Sequence, residues 1–335
     1  MSNDPPSAAR SRDEQRPAGT EVPALPRPRD PGPRVVAPRE VPLGGPRAMV
    51  VRRTLPHREL RTVGAWCFLD DYGPHDLTGT AGMQVPPHPH TGLQTVTWLL
   101  DGEVHHQDSL GSEALVRPGE LNLMTAGRGI SHAETSPTGA TGALRGLQLW
   151  VALPAPDRDV APDFAHHADL PRFAADGLDV TVVLGSLAGH TSPGRAYTPI
   201  VGAEIRVAAG ARGELSLDFG FEHAALALDD VLLAGQRLPA GSLAYLPPGS
   251  RRLHLTAPDR SGRVFLLGGE PFAEELLMWW NFVARSHDEV VEAREEWMAA
   301  VEGATTRFGQ VSAYDGPSLP APALPTSRLR PRARG

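Results

Sequence analysis

Two short triplets could do chemistry together: His88-Pro89-His90 and, further along, His132-Ala133-Glu134. In each, the polar residues stand two apart. Side chains on a β-strand alternate between faces, so residues two apart point the same way. Two strands of one barrel would then aim three imidazoles and one carboxylate at a single point. Neutral imidazoles with a carboxylate suit a divalent first-row transition metal: iron, manganese, cobalt, nickel, copper or zinc. A lone barrel histidine is more often a hydrogen-bonded structural residue than a ligand. Two same-face pairs are harder to explain that way.

The flanks supply the strands. Val85-Pro86-Pro87 leads into the first triplet, and prolines suit a strand start or an edge. Leu93 to Leu100 reads LQTVTWLL, a β-branched and aromatic run of strand length. Asp101-Gly102 signals a hairpin turn, and Glu103 to Asp108 is the returning strand. Its His105 and His106 face opposite ways, so at most one points inward; both are read as structural or exposed. Arg117-Pro118-Gly119-Glu120 is a second turn, followed by a short strand from Leu121 to Thr125. Gly127-Arg128-Gly129 then gives a permissive backbone before His132. Such an order builds a small double-stranded β-helix barrel.

The second half reads as a degenerate copy. LPAGSLAYLPPGSRRLHL (238–255) parallels VRPGELNLMTAGRGISH (116–132), with the same spacing from glycine to histidine. His223 and His254 stand alone there, without a carboxylate partner, so a metal-free second barrel is expected. Near the end, Ser286-His287-Asp288-Glu289 fits a capping box. Val290, Val291, Ala293, Trp297, Met298 and Val301 follow at roughly helical spacing. The fold class expected is all-β: two jelly-roll barrels in tandem with a short C-terminal helix.

Composition bounds the rest. At 335 residues the chain is long enough for two such barrels. A net charge of −7 disfavours direct nucleic-acid binding and attraction to anionic membranes. No apolar run approaches membrane-spanning length, and no leader pattern opens the chain, so a cytoplasmic location is expected. The single cysteine, Cys67, excludes an intramolecular disulfide and lies in an apolar run, where a buried, inert thiol is expected.

The phrases HPHTGLQTVTWLLDGEVHHQDSLG, RPGELNLMTAGRGISHAE and GLQLWVALP resemble the N-terminal domain of the pirin family. GEPFAEELLMWWNFVARSHDEV (269–290) resembles the end of that family's C-terminal domain. Pirins are two-domain cupins. The resemblance implies that His88, His90, His132 and Glu134 hold one metal, usually iron as Fe(II), in the first barrel only. It departs from the family pattern at Thr91, Leu93 and Gln94. Gln94 lies near where other cupins carry a ligand carboxylate; in pirins the fourth ligand comes from the H-x-E instead. The domains expected are a disordered tail at 1–33, a metal-binding cupin at 34–154 and a linker at 155–178. A metal-free cupin at 179–314 and a disordered tail at 315–335 follow. The function implied is quercetin 2,3-dioxygenase chemistry on a flavonol or similar aromatic, enolic substrate with O2, with Glu134 as both ligand and catalytic base. The alternative is a non-catalytic iron or redox sensor that binds a protein partner.

Overall fold

The computed structural model describes residue 1, residues 32–43 and residues 49–333. The expectation for the tail at 1–33 lies almost entirely outside the described residues. Within 32–333 the chain is built of antiparallel strands with one α-helix, His287–Val301.

The strand Leu93–Asp101 is buried along its whole length except its last residue. A strand covered on both faces reads as a continuous apolar run, which is why LQTVTWLL lacks alternation. It lies inside a seven-stranded sheet, between Leu121–Thr125 and Ala143–Ala152. A four-stranded sheet runs Gln84–His90, Ile130–Thr135, Val104–Asp108, Glu113–Val116. The Thr97 hydroxyl of the larger sheet donates to Glu134 Oε1 of the smaller one at 3.2 Å, so the two close over a shared interior. Gln84–His90 is an edge strand, which is where a segment holding Pro86, Pro87 and Pro89 can pair without every backbone donor.

The second half repeats this layout. An eight-stranded sheet centred on Gly262–Gly269 is accompanied by the four strands Arg212–Ser216, Arg252–Thr256, Val231–Leu233 and Gln236–Leu238. One continuous core joins the halves. The Trp66 indole of the first donates to the carbonyls of Val201 and Gly268 in the second, at 3.0 and 3.2 Å. Trp98 donates to Glu204 Oε2 at 2.8 Å. Burying this much aromatic surface with each N–H satisfied makes the contact a core and not a hinge.

The ends of the described chain cross over. Arg34–Val36 precedes the first barrel in sequence yet pairs with Leu243–Leu246 of the second. The hairpin Leu277–Trp279/Phe282–Ala284 follows the second barrel yet lies on the first, where Val283 N–H donates to the Thr91 carbonyl at 3.0 Å. Two expectations need correction. The segment 155–178, read as a linker, contains Asp163–His167, paired with Leu121–Thr125 of the first barrel. It also holds Arg172–Ala175, paired with Leu178–Leu187 of the second. Its polar, proline-rich surroundings hide two short edge strands. The segment from 315, read as disordered, runs as an irregular strap. Leu319 N–H donates to the Pro87 carbonyl at 2.8 Å, and Arg332 exchanges backbone bonds with Leu276. Composition suggested disorder because the strap has few large apolar residues; backbone bonds and the Trp297 indole, which donates to the Leu319 carbonyl at 2.8 Å, hold it instead.

Among the described residues, no helix is long and apolar enough to cross a membrane.

Candidate metal centre

His88 and His132 are direct cross-strand partners, and His90 lies two residues further along the same edge strand. A register shift between His132 and Glu134 sets Glu134 opposite Val85. The three rings meet inside the barrel with centroids 4.4 to 5.0 Å apart. One nitrogen from each of His88, His90 and His132 lies within 4.8 Å of the others. Glu134 meets His132 and His106 within the same limit. His90 and His132 are each only 1% exposed and Glu134 9%, so these groups have little access to water.

Hydrogen-bond polarity says which ring nitrogens are bare. His88 Nδ1 is 2.9 Å from the Pro86 carbonyl and His90 Nδ1 is 3.2 Å from the Asn281 carbonyl. A carbonyl only accepts, so each Nδ1 carries the proton and each Nε2 keeps its lone pair. Burial pushes His88 down to about 4 and holds His90 and His132 well below the ordinary imidazole value. All three are therefore neutral at physiological pH. His132 Nε2 is a fully buried atom with no hydrogen-bond partner among the described residues. Leaving such an atom unpaired costs on the order of 1–3 kcal/mol. A bare, buried nitrogen beside two others fits a first-row divalent ion, whose ligand imidazoles must be neutral. Burial raises the Glu134 carboxyl, which its Thr97 partner partly offsets. That makes Glu134 a better proton acceptor than a surface carboxylate.

Above this cluster lies a cavity of about 380 Å³. One wall is an aromatic stack. Arg53 lies over Phe68 at 4.3 Å, Phe68 stacks on Trp150 at 4.0 Å, and Trp150 meets His90 edge-on at 5.2 Å. Asp70 holds Arg53 with two bonds of 2.7 Å. Met278, Trp280 and Leu319 complete the wall from the far end of the chain. Trp280 has φ of 52°, a left-handed turn conformation that a bulky residue adopts only when packing enforces it.

Sequence reasoning missed these contributors, because nothing in their local pattern says that the hairpin folds back. It also misjudged His106, which is 1% exposed and points inward with its Nδ1 3.4 Å from His132 Nδ1. Strict alternation on Val104–Asp108 left one inward histidine; choosing it needed the register. His105 faces out, 3.3 Å from Glu113. Gln94 is buried away from the cluster, donating to Thr125 Oγ1 and to the Arg195 carbonyl at 2.9 and 3.0 Å. In the second barrel, His254 is half exposed beside Glu214, and His223 is buried. Cys67 is buried, its thiol pushed up to about 12 by burial and so protonated.

Comparison with known proteins matches the pirin family model over residues 48–151 and the model of the pirin C-terminal cupin domain over residues 202–302. The chain belongs to the pirin family. This pirin is 44% identical to a Pseudomonas aeruginosa protein named "Putative quercetin 2,3-dioxygenase", over 87% of this chain and 90% of the relative. It is 36% identical to a Pirin-like protein of Caulobacter vibrioides, over 74% of this chain and 88% of that one. The crystal structure of a quercetin 2,3-dioxygenase from Acinetobacter baumannii matches with a TM-score of 0.84 and 40% identity, covering 90% of this chain and 98% of that one. The pirin YhhW of Escherichia coli, solved in complex with nickel(II), shares the fold at a TM-score of 0.55 and 17% identity, covering 72% of this chain and 100% of that one. The all-β, two-cupin architecture with a C-terminal helix is thus the one the sequence implies.

Proposed function

We propose that this pirin is a metal-dependent dioxygenase that opens a flavonol or a related enolic ring with O2. One observation carries the reading: a buried set of three neutral imidazoles and a carboxylate opens into an aromatic-walled cavity of about 380 Å³. That volume is in the range of small-molecule sites. The names of the Pseudomonas and Acinetobacter relatives support the same class of substrate.

His88, His90, His132 and Glu134 would hold the ion, with iron the expected metal and manganese, cobalt, nickel, copper or zinc able to take the same donors. Bound there, the ion supplies Lewis acidity and one-electron chemistry toward O2. The chain supplies the rest. Glu134, with its carboxyl raised by burial, accepts the proton of the substrate hydroxyl. The Phe68–Trp150 stack offers a flat apolar face against which a planar ring lies. Trp280 and Met278 cover the cavity and keep water from the deprotonated ring.

Oxygen uptake by Fe(II)-loaded protein with quercetin, beside a His88→Ala control, tests the reading. Many turnovers that vanish in the control are expected. No uptake by protein that demonstrably holds its metal would sink it and leave a redox-linked binding protein as the function to pursue.

A further inference from the structure

We infer that Asp108 and His106 are positioning residues that fix the proton of His132 on Nδ1 and keep its Nε2 bare toward the donor cluster. This rests on reading that cluster as a metal site, although the proton placement itself is a property of the metal-free protein.

Val104–Asp108 lies beside Ile130–Thr135, with His106 opposite Glu134 and Asp108 opposite His132. Cross-strand partners share a face, so all four point inward. His106 and Asp108 are 1% and 2% exposed. The polarity of the chain then follows from its far end. His106 Nε2 is 3.5 Å from Asp108 Oδ2, and a carboxylate only accepts, so that nitrogen carries the proton. His106 Nδ1 is then bare. It faces His132 Nδ1 at 3.4 Å, and that nitrogen must be the donor. The remaining nitrogen, His132 Nε2, is left unprotonated, and it is the buried atom without a partner.

Both contacts are at the long end of hydrogen bonding, so the pair acts through direction more than through strength. The scaffold around it is firm. Asp108 Oδ1 accepts the backbone N–H groups of Leu110 and Ser112, both at 2.9 Å. The His106 ring stacks on Phe164 at 4.5 Å, a residue of the strand that composition had disguised as linker. Since both His106 nitrogens are engaged, His106 orients a donor and is not itself one, despite its place near Glu134. Outer partners of this kind typically change metal affinity about 10- to 100-fold when removed.

Asp108→Asn is the informative substitution. Its carbonyl oxygen can still accept the Leu110 and Ser112 amides, while its NH2 replaces Oδ2 and donates to His106 Nε2. The ring must then carry its proton on Nδ1 and donate to His132 Nδ1, which drives the His132 proton to Nε2. Two-bond proton–nitrogen spectra of ¹⁵N-histidine-labelled, metal-free full-length protein read the tautomer directly, and a Zn(II) titration follows. The expected result is His132 protonated on Nδ1 in the wild type and on Nε2 in Asp108→Asn, with Zn(II) binding weakened about 10- to 100-fold. His106→Phe keeps an aromatic ring against Phe164 and removes only the acceptor. It should leave His132 a mixture of tautomers with weakened Zn(II) binding, and it decides the matter if Asp108→Asn fails to fold. An unchanged His132 tautomer in the variants would overturn the inference. A wild type with the expected tautomer that binds no Zn(II) would support the proton placement and defeat the metal reading, so the two failures are separable.

Discussion

At the scale of single residues, the donor cluster is defined by protons as much as by positions. His88 and His90 each give Nδ1–H to a backbone carbonyl, which leaves Nε2 free without any charge to neutralise. Glu134 has a different task, because its burial raises its affinity for a proton. Replacing it with Gln keeps the volume and the Thr97 contact but abolishes the base. Glu134→Gln is expected to lower kcat/KM about 10²- to 10⁴-fold in protein matched for metal content. Full turnover with metal retained would show that the proton goes elsewhere.

At the scale of elements, the cavity depends on a hairpin that belongs by sequence to the other half of the chain. Leu277–Trp279/Phe282–Ala284 docks where Gly92 leaves room for it. An alanine β-carbon at Gly92 would lie 2.1 Å from the Val283 carbonyl oxygen, and the backbone there has φ of +71°. Neither the clash nor the left-handed conformation can be relieved without moving the hairpin. Gly92→Ala should therefore cost about 2 kcal/mol or more and lower Tm by several degrees. It should also raise KM, since Met278 and Trp280 would shift from the cavity wall. Calorimetry and steady-state kinetics check both; a variant with wild-type Tm would mean that the hairpin does not pack against Gly92.

At the scale of the whole molecule, each barrel buries a neutral histidine, and this makes stability depend on pH. Burial pushes both His88 and His223 down to about 4. In the unfolded chain an imidazole takes up its proton near pH 6.5. Between those values the unfolded state binds more protons, so stability rises with pH. The contribution is full above about 6.5 and is lost as pH falls toward 4, on the order of 3 kcal/mol for each ring. His223 lies away from the donor cluster, so it tests the point cleanly. Urea unfolding of metal-free protein should show a shallower fall from pH 6.5 to 4 in His223→Leu than in the wild type. Equal slopes would mean that His223 is protonated in the fold.

What the sequence determined by itself was local and periodic. The spacing of His88, His90, His132 and Glu134 put each pair on one face of a strand, because that alternation is a property of the backbone alone. The Asp101-Gly102 turn and the Ser286–Glu289 cap were legible for the same reason: Glu289 N–H does donate to Ser286 Oγ, at 3.3 Å. The family phrases carried the two-barrel architecture. Only the tertiary structure decided which of His105 and His106 faces the cluster, since that depends on register against a strand distant in sequence. Only it brought Trp280 and Leu319 over the cavity and Arg34–Val36 onto the second barrel. These contacts join residues hundreds of positions apart, and no local periodicity records them. They exist because each barrel leaves an edge or an opening that backbone hydrogen bonds and apolar burial from the other end of the chain can close.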